Sequence, residues 1–161
     1  MTDNRSPNDA QPSAIPSAIV SRLVGRPRSA VAAASLAVLA SFLVARRVAA
    51  TNAYLQIQYA LPTYDGSTGP AFFVGGAALV GLAVASSYAD AGLLPTVVLA
   101  GAPVFGWAVN HVSAPITPHY AVTYPVEMAV LYGVVFGLVG YVLGSGLRSV
   151  APPSRAASLV R

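Results

Sequence analysis

The chain has 161 residues, of which 55% are hydrophobic and only 9% are charged. Soluble domains have roughly 25% charged residues, and the nine basic and five acidic residues here cannot cover the surface of one. The apolar residues form long blocks rather than amphipathic stripes. We therefore predict an all-α integral membrane protein, and the absence of cysteine excludes disulfides, thiol catalysis and cysteine-bound metal.

The formal net charge of +4 does not indicate a nucleic-acid partner, because the arginines flank apolar segments instead of clustering on one face. Residues 1–28 are rich in Ser, Pro and Ala and predict a disordered N-terminal tail, within which residues 15–23 can form a short interfacial helix. Residues 148–161 repeat this composition and predict a disordered C-terminal tail.

Residues 29–45 form the first predicted span, at the short end of the length that crosses a bilayer. A cleaved signal peptide is the first alternative, but the run is long for that role and Arg46-Arg47 directly after it disfavours cleavage. A twin-arginine signal needs its arginine pair before the run. We favour a retained helix, which the absence of Gly and Pro from residues 48–61 allows to continue to near Pro62.

The second and third predicted spans are residues 71–89 and 93–112. Only a tight turn separates them, so they are expected to form an antiparallel hairpin. Asp90 in this turn is expected to pair with Arg28 or Arg148, or to cap the third span. Pro103 lies in the middle of the third span and predicts a helix kink there.

The fourth predicted span, residues 125–147, carries glycines at intervals of three or four residues, which places them on one helical face. Helices associate in membranes through close packing, which small residues permit. We interpret this face as packing inside one four-helix bundle, with a homo-oligomer interface as the alternative. The predicted packing residues are Gly133, Gly137, Gly140 and Gly144 in this span, Ala77, Gly81 and Ala85 in the second, and Ala33, Ala37, Ser41 and Ala45 in the first.

Polar side chains near the span ends are the candidates for chemistry. Glu127 lies in the first turn of the fourth span, where the helix dipole favours a negative charge and where Arg46 or Arg47 can pair with it. Two imidazoles and a carboxylate can hold zinc, but His111, His119 and Glu127 lack the close spacing of a ligand pair. We interpret these five residues as an outer polar cluster and predict no metal, cofactor or catalytic residue.

Four spans place both tails on the same side of the membrane. Because seven of the nine arginines lie in those tails, the positive-inside rule predicts that both termini of this multi-pass protein of the cell membrane are cytoplasmic.

The sequence favours a small structural, accessory or assembly subunit that acts by helix packing, with a larger membrane complex or with a second copy. The first alternative is a small transporter or channel with an outward vestibule near Asn110, His111 and Glu127, although ionisable residues are scarce at mid-membrane depth. A membrane enzyme using His111, His119 and Glu127 is the least favoured, because nucleophile-elbow, zincin and redox motifs are absent.

Overall fold

The computed structural model describes residues 17–53, 55–57, 68–112 and 121–150. Over this part of the chain every regular element is a helix, and no strand is present. Four of the helices are long and apolar enough to cross a membrane, so the all-helical class and the number of span-length helices are confirmed. The helices are α1 (Ser17–Val24), α2 (Pro27–Thr51), α3 (Pro70–Tyr88), α4 (Leu93–Val112) and α5 (Tyr124–Val150).

Proline and an asparagine cap set the boundaries of the first long helices. Pro27 and Pro70 lie in the first turns of α2 and α3, where a missing backbone N–H costs little. α2 ends at Thr51 because Asn52 adopts a left-handed conformation, with φ of 51°, and its N–H bonds to the carbonyl of Val48. The predicted continuation of the first span is therefore interrupted at Asn52.

Residues 17–28 differ from the predicted disordered tail. They form α1 and the turn into α2. The turn forms at Gly25, whose φ of 71° is a conformation that L side chains rarely adopt. The short interfacial helix predicted within residues 15–23 corresponds to α1, which packs against the start of α4.

α4 is the centre of the bundle. It packs most extensively against α5 and α2, while α3 packs mainly against α5 and less against α4. Most of the residues that α4 buries are small, which lets the neighbouring helices approach its backbone closely. The buried residues are Thr96, Leu99, Ala100, Gly101, Ala102, Gly106, Trp107, Ala108 and His111.

A buried hydroxyl pair joins α3 to α4 just below their tight turn. Thr96 Oγ1 donates to the carbonyl of Gly92 at 2.7 Å, and Ser86 Oγ lies 3.1 Å from Thr96 Oγ1. Because Gly92 takes the one proton of the Thr96 hydroxyl, Ser86 is the donor in the second bond. The hairpin predicted from the short connection is thus held by side chains as well as by its length.

The bundle has two chemically different ends. At the turn end, the α1–α2 turn, the α3–α4 turn and the last turns of α5 meet around Asp90. At the aromatic end, the rings of Trp107, His111 and Tyr124 have centroids 4.8–6.5 Å apart. Each long helix runs from one end to the other, so consecutive helices are antiparallel.

Candidate functional site

The glycine stripe of α5 lies between helices of the same chain. A methyl group at Gly137 would lie 2.9 Å from Cα of Val97 in α4, and one at Gly140 would lie 2.9 Å from the carbonyl oxygen of Val80 in α3. Favourable carbon contacts lie near 3.5–4.0 Å, so the backbones approach this closely only because no side chain separates them. All four stripe residues are buried: Gly133, Gly137, Gly140 and Gly144.

The small-residue face of α2 packs against α4 in the same way. A methyl group at Gly106 of α4 would collide with the carbonyl of Ser41 and would lie 3.1 Å from the backbone nitrogen of Ala45. Ala33 and Ala37, on the same face of α2, are each only 4% exposed. Two of the three predicted stripes therefore lie against α3 or α4 of this chain.

The third stripe has no described helix packed against it, although its last residue, Ala85, also lines a cleft beside α2. Ala77, Gly81 and Ala85, which we call the outer α3 stripe, are all exposed. A methyl group at Gly81 would meet no atom within 4 Å. α3 turns Leu79 and Ala83 toward the bundle instead. The outer α3 stripe thus has the spacing of a packing face without a described helix against it.

At the aromatic end, His111 and Asn110 make contacts within the bundle. His111 is 1% exposed and lies between Trp107 and Tyr124, with ring centroids 4.8 Å and 5.6 Å away. Asn110 Nδ2 donates to the carbonyl of Ala45 in α2 at 3.4 Å and to a carbonyl of its own helix at 3.0 Å. Both side chains connect helices of the bundle.

The outer polar cluster predicted from the sequence is not gathered into one site in the described chain. His111 is buried, whereas Glu127, Arg46 and Arg47 are exposed. Neither arginine lies within ion-pair distance of Glu127. The ion pairs among the described residues are those of Asp90. The described residues contain no group of three acidic or imidazole side chains placed to hold a metal ion, and His119 lies outside them.

Pro103 lies inside α4, which remains one continuous helix. It lines an apolar cleft of about 330 Å³ formed by residues of α2, α3, α4 and α5. Aromatic rings form much of its wall, including those of Phe72, Trp107 and Phe136. The lining contains no charged side chain, so the cleft suits hydrocarbon rather than an ion.

The ion pairs among the described residues lie at the turn end. Asp90 Oδ2 lies 2.9 Å from Nε of Arg26, and its Oδ1 lies 2.6 Å from Nη1 of Arg148. The backbone N–H of Arg26 also donates to the carbonyl of Asp90 at 2.9 Å. Of the predicted partners of Asp90, Arg148 is confirmed, and Arg26 stands in the place expected for Arg28. One carboxylate thus ties the α1–α2 turn and α5 to the α3–α4 turn.

Two glycines make this junction possible. Gly25 and Gly92 both have positive φ, at 71° and 83°. A methyl group on either one would collide with the backbone of the opposite turn. The predictions from the sequence do not include this contact, although the chain carries a signal for it, one glycine in each of two short turns at the same end of the bundle.

A polar cleft of about 640 Å³, which we call the basic cleft, lies beside the junction. Tyr141 Oη of α5 donates to the carbonyl of Arg22 in α1 at 3.4 Å, and Ser87 Oγ of α3 donates to the carbonyl of Tyr141 at 3.0 Å. These bonds hold three helices around the cleft. Its charged lining residues are Arg22, Arg26, Arg148 and Asp90, an excess of two positive charges.

A family model described as "Domain of unknown function (DUF8071)" matches residues 24–155. The chain belongs to this family. The DUF8071 match covers all four span-length helices, and with them the outer α3 stripe and the ion pairs of Asp90. Neither the curated proteins nor the solved structures contain a match to this chain.

Proposed function

We propose that this DUF8071 protein is a small accessory subunit of a membrane complex that binds another transmembrane helix along the outer α3 stripe. In this proposal α2, α3, α4 and α5 are its membrane spans. The turn end faces the cytoplasm, since four of the six arginines in the described residues lie at that end: Arg22, Arg26, Arg28 and Arg148.

The exposure of the outer α3 stripe carries the proposal. Lipid tails are as apolar as leucine, so helices in a bilayer gain little from burying large apolar side chains and associate through close backbone packing. Ala77, Gly81 and Ala85 follow one another at four-residue intervals and would allow such an approach. Other helices of this chain pack against the similar stripes of α2 and α5, so closely that the backbones are in contact. A partner helix on α3 would use the same packing mode.

Two apolar clefts between the helices support this role over transport. The apolar cleft beside Pro103 and a second cleft of about 560 Å³ between α2, α4 and α5 are lined by aliphatic and aromatic residues. Their polar groups are the hydroxyls of Ser41 and Tyr132 and the indole N–H of Trp107, none of which is charged. Ion and proton pathways use ionisable groups at membrane depth. A packing role requires none.

The experiment compares the mass of the protein extracted in mild detergent, measured by light scattering, with that of two glycine variants. We expect the native protein to run as a complex heavier than its own 16.4 kDa chain. Gly81→Leu fills an open position on the stripe, so it should dissociate the complex and leave the chain folded.

Gly146→Leu is the matched control. A methyl group at Gly146 of α5 would also meet no atom within 4 Å, but this glycine lies off the stripe, so the variant should keep the native mass. A monomeric native protein would contradict the proposal. So would a Gly81→Leu variant that retains the complex.

A further inference from the structure

The basic cleft is the strongest feature that helix packing does not explain. Arg22, Arg26 and Arg148 line it against one carboxylate, that of Asp90. Each guanidinium carries five N–H donors, so the donors of three arginines outnumber the lone-pair sites of one carboxylate. The cleft therefore has both the charge and the donors to hold an anion.

An exposed apolar surface continues from the cleft along α5. Ser145 lines the cleft, and Leu138, seven residues earlier, lies two helical turns below it on nearly the same face. Leu138 is 43% exposed, and the neighbouring Val142 is 65% exposed. The surface is thus basic at the helix ends and apolar toward the middle of the bundle. A ligand with an anionic head and an apolar tail matches this arrangement.

We infer that the basic cleft binds the phosphate head group of an anionic phospholipid, whose acyl chains lie along α5. Planar guanidinium groups match phosphate oxygens in a bidentate geometry. Basic pockets between membrane helices on the cytoplasmic side hold such head groups, and the turn end faces that side in the topology proposed above. The inference rests on that membrane insertion but requires no partner on α3.

Asp90 has a distinct part in this site. Its carboxylate holds Arg26 and Arg148 in place, and it also competes with the lipid phosphate for them. Replacing it with asparagine removes the competing charge and keeps a similar shape. A lipid site therefore predicts that Asp90→Asn and Arg148→Gln have opposite effects on lipid binding, whereas a purely structural ion pair predicts that both variants have the same effect, because each breaks the same pair.

The test titrates the full-length protein in mild detergent with phosphatidylglycerol, and separately with phosphatidylcholine of the same acyl chains. Native mass spectrometry then measures the bound lipid. We expect phosphatidylglycerol to bind about tenfold more tightly. Arg22→Gln and Arg148→Gln should each weaken its binding about fivefold, and Asp90→Asn should strengthen it. Arg47→Gln removes the same charge at the aromatic end and should change nothing.

Four results would overturn the inference. The first is equal affinity for the two lipids, and the second is an equal loss in Arg47→Gln and Arg148→Gln, which would indicate general charge attraction. The third is weaker binding in Asp90→Asn. The fourth is displacement of phosphatidylglycerol by millimolar inorganic phosphate, which would identify a soluble anion as the ligand. Lipid binding is measured on the chain whether or not a partner is attached, so this test is independent of the outer α3 stripe.

Discussion

The substitution Gly140→Ala tests how closely α3 and α5 approach. The added methyl group would collide with Cβ of Ala83 and would lie 2.9 Å from the carbonyl oxygen of Val80 and 3.0 Å from the nitrogen of Val84. Two of these three atoms belong to the backbone and the third is fixed to it, so none of them can rotate away. The variant must therefore move α3 and α5 apart along the face on which they pack.

Gly146→Ala provides the reference, because it makes the same chemical change in the same helix at a position with no atom within 4 Å. Both variants gain the same helix propensity, about 0.5–1 kcal/mol, so that contribution cancels between them. Overpacking of a dense interior costs about 1–3 kcal/mol. We expect the free energy of unfolding of Gly140→Ala to lie below that of Gly146→Ala by this amount.

The assay transfers the folded protein from mild detergent into increasing fractions of dodecyl sulfate. Tryptophan fluorescence measures unfolding at each fraction. The chain has one tryptophan, Trp107, which is 4% exposed and packs against His111. Its emission therefore reports loss of the bundle. If the two alanine variants unfold at the same detergent fraction, α3 and α5 do not approach as closely as described.

Four further substitutions perturb three other contacts and use the same titration. Gly92 has a φ of 83° and lies against the α1–α2 turn, so the methyl group of Gly92→Ala is both strained and crowded. The variant should lower the free energy of unfolding by at least about 1 kcal/mol. Native stability would refute the turn-to-turn contact. Asn110→Leu removes the bond to the carbonyl of Ala45 and should cost about 0.6 kcal/mol, the average for such bonds in membrane proteins; a gain in stability would argue against it. Ser86→Ala and Thr96→Val in a double-mutant cycle should show a coupling free energy of similar size, whereas additive effects would mean that the two hydroxyls do not interact.

The length of the apolar runs predicted the helices well, because each span-length helix consists mainly of apolar residues. The predicted spans 71–89 and 93–112 lie within one residue of α3 and α4. α2 and α5 extend beyond the runs at 29–45 and 125–147. A helix continues until a capping residue or a turn stops it, and the polar residues at its ends remain helical, so the apolar run gives only a minimum length.

The periodicity of the small residues located the stripes, but it did not show whether another helix packs against each of them. Gly81 and Gly140 belong to stripes of similar spacing, yet Gly140 lies against α3 and Gly81 faces outward. The difference depends on how each helix is rotated about its own axis, which long-range packing sets. A pattern within one segment therefore cannot assign a stripe to the interior or to the surface.

The turn end is formed by three segments that lie far apart in the chain, so no pattern within one segment predicts its contacts. Arg22 and Arg26 fall within the predicted N-terminal tail because residues 1–28 as a whole are rich in Ser, Pro and Ala. Their contacts with Tyr141 and Asp90 join residues more than sixty positions apart. Charge counting predicted that these arginines lie on the same side of a membrane as Arg148, but only the fold brings them into one cleft with it.

The claim that α3 binds a partner helix is tested by photo-crosslinking in native membranes from Val74, which lies about two turns from Gly81 on the same outer face of α3 and is 71% exposed. A photoreactive residue there should yield one adduct of defined size, either with a second copy or with one other protein. The adduct should disappear when Gly81→Leu is added. The same probe at Val38 of α2, which is 72% exposed, should yield no discrete adduct. No adduct from Val74, or equal adducts from Val74 and Val38, would contradict the claim that α3 binds a partner helix.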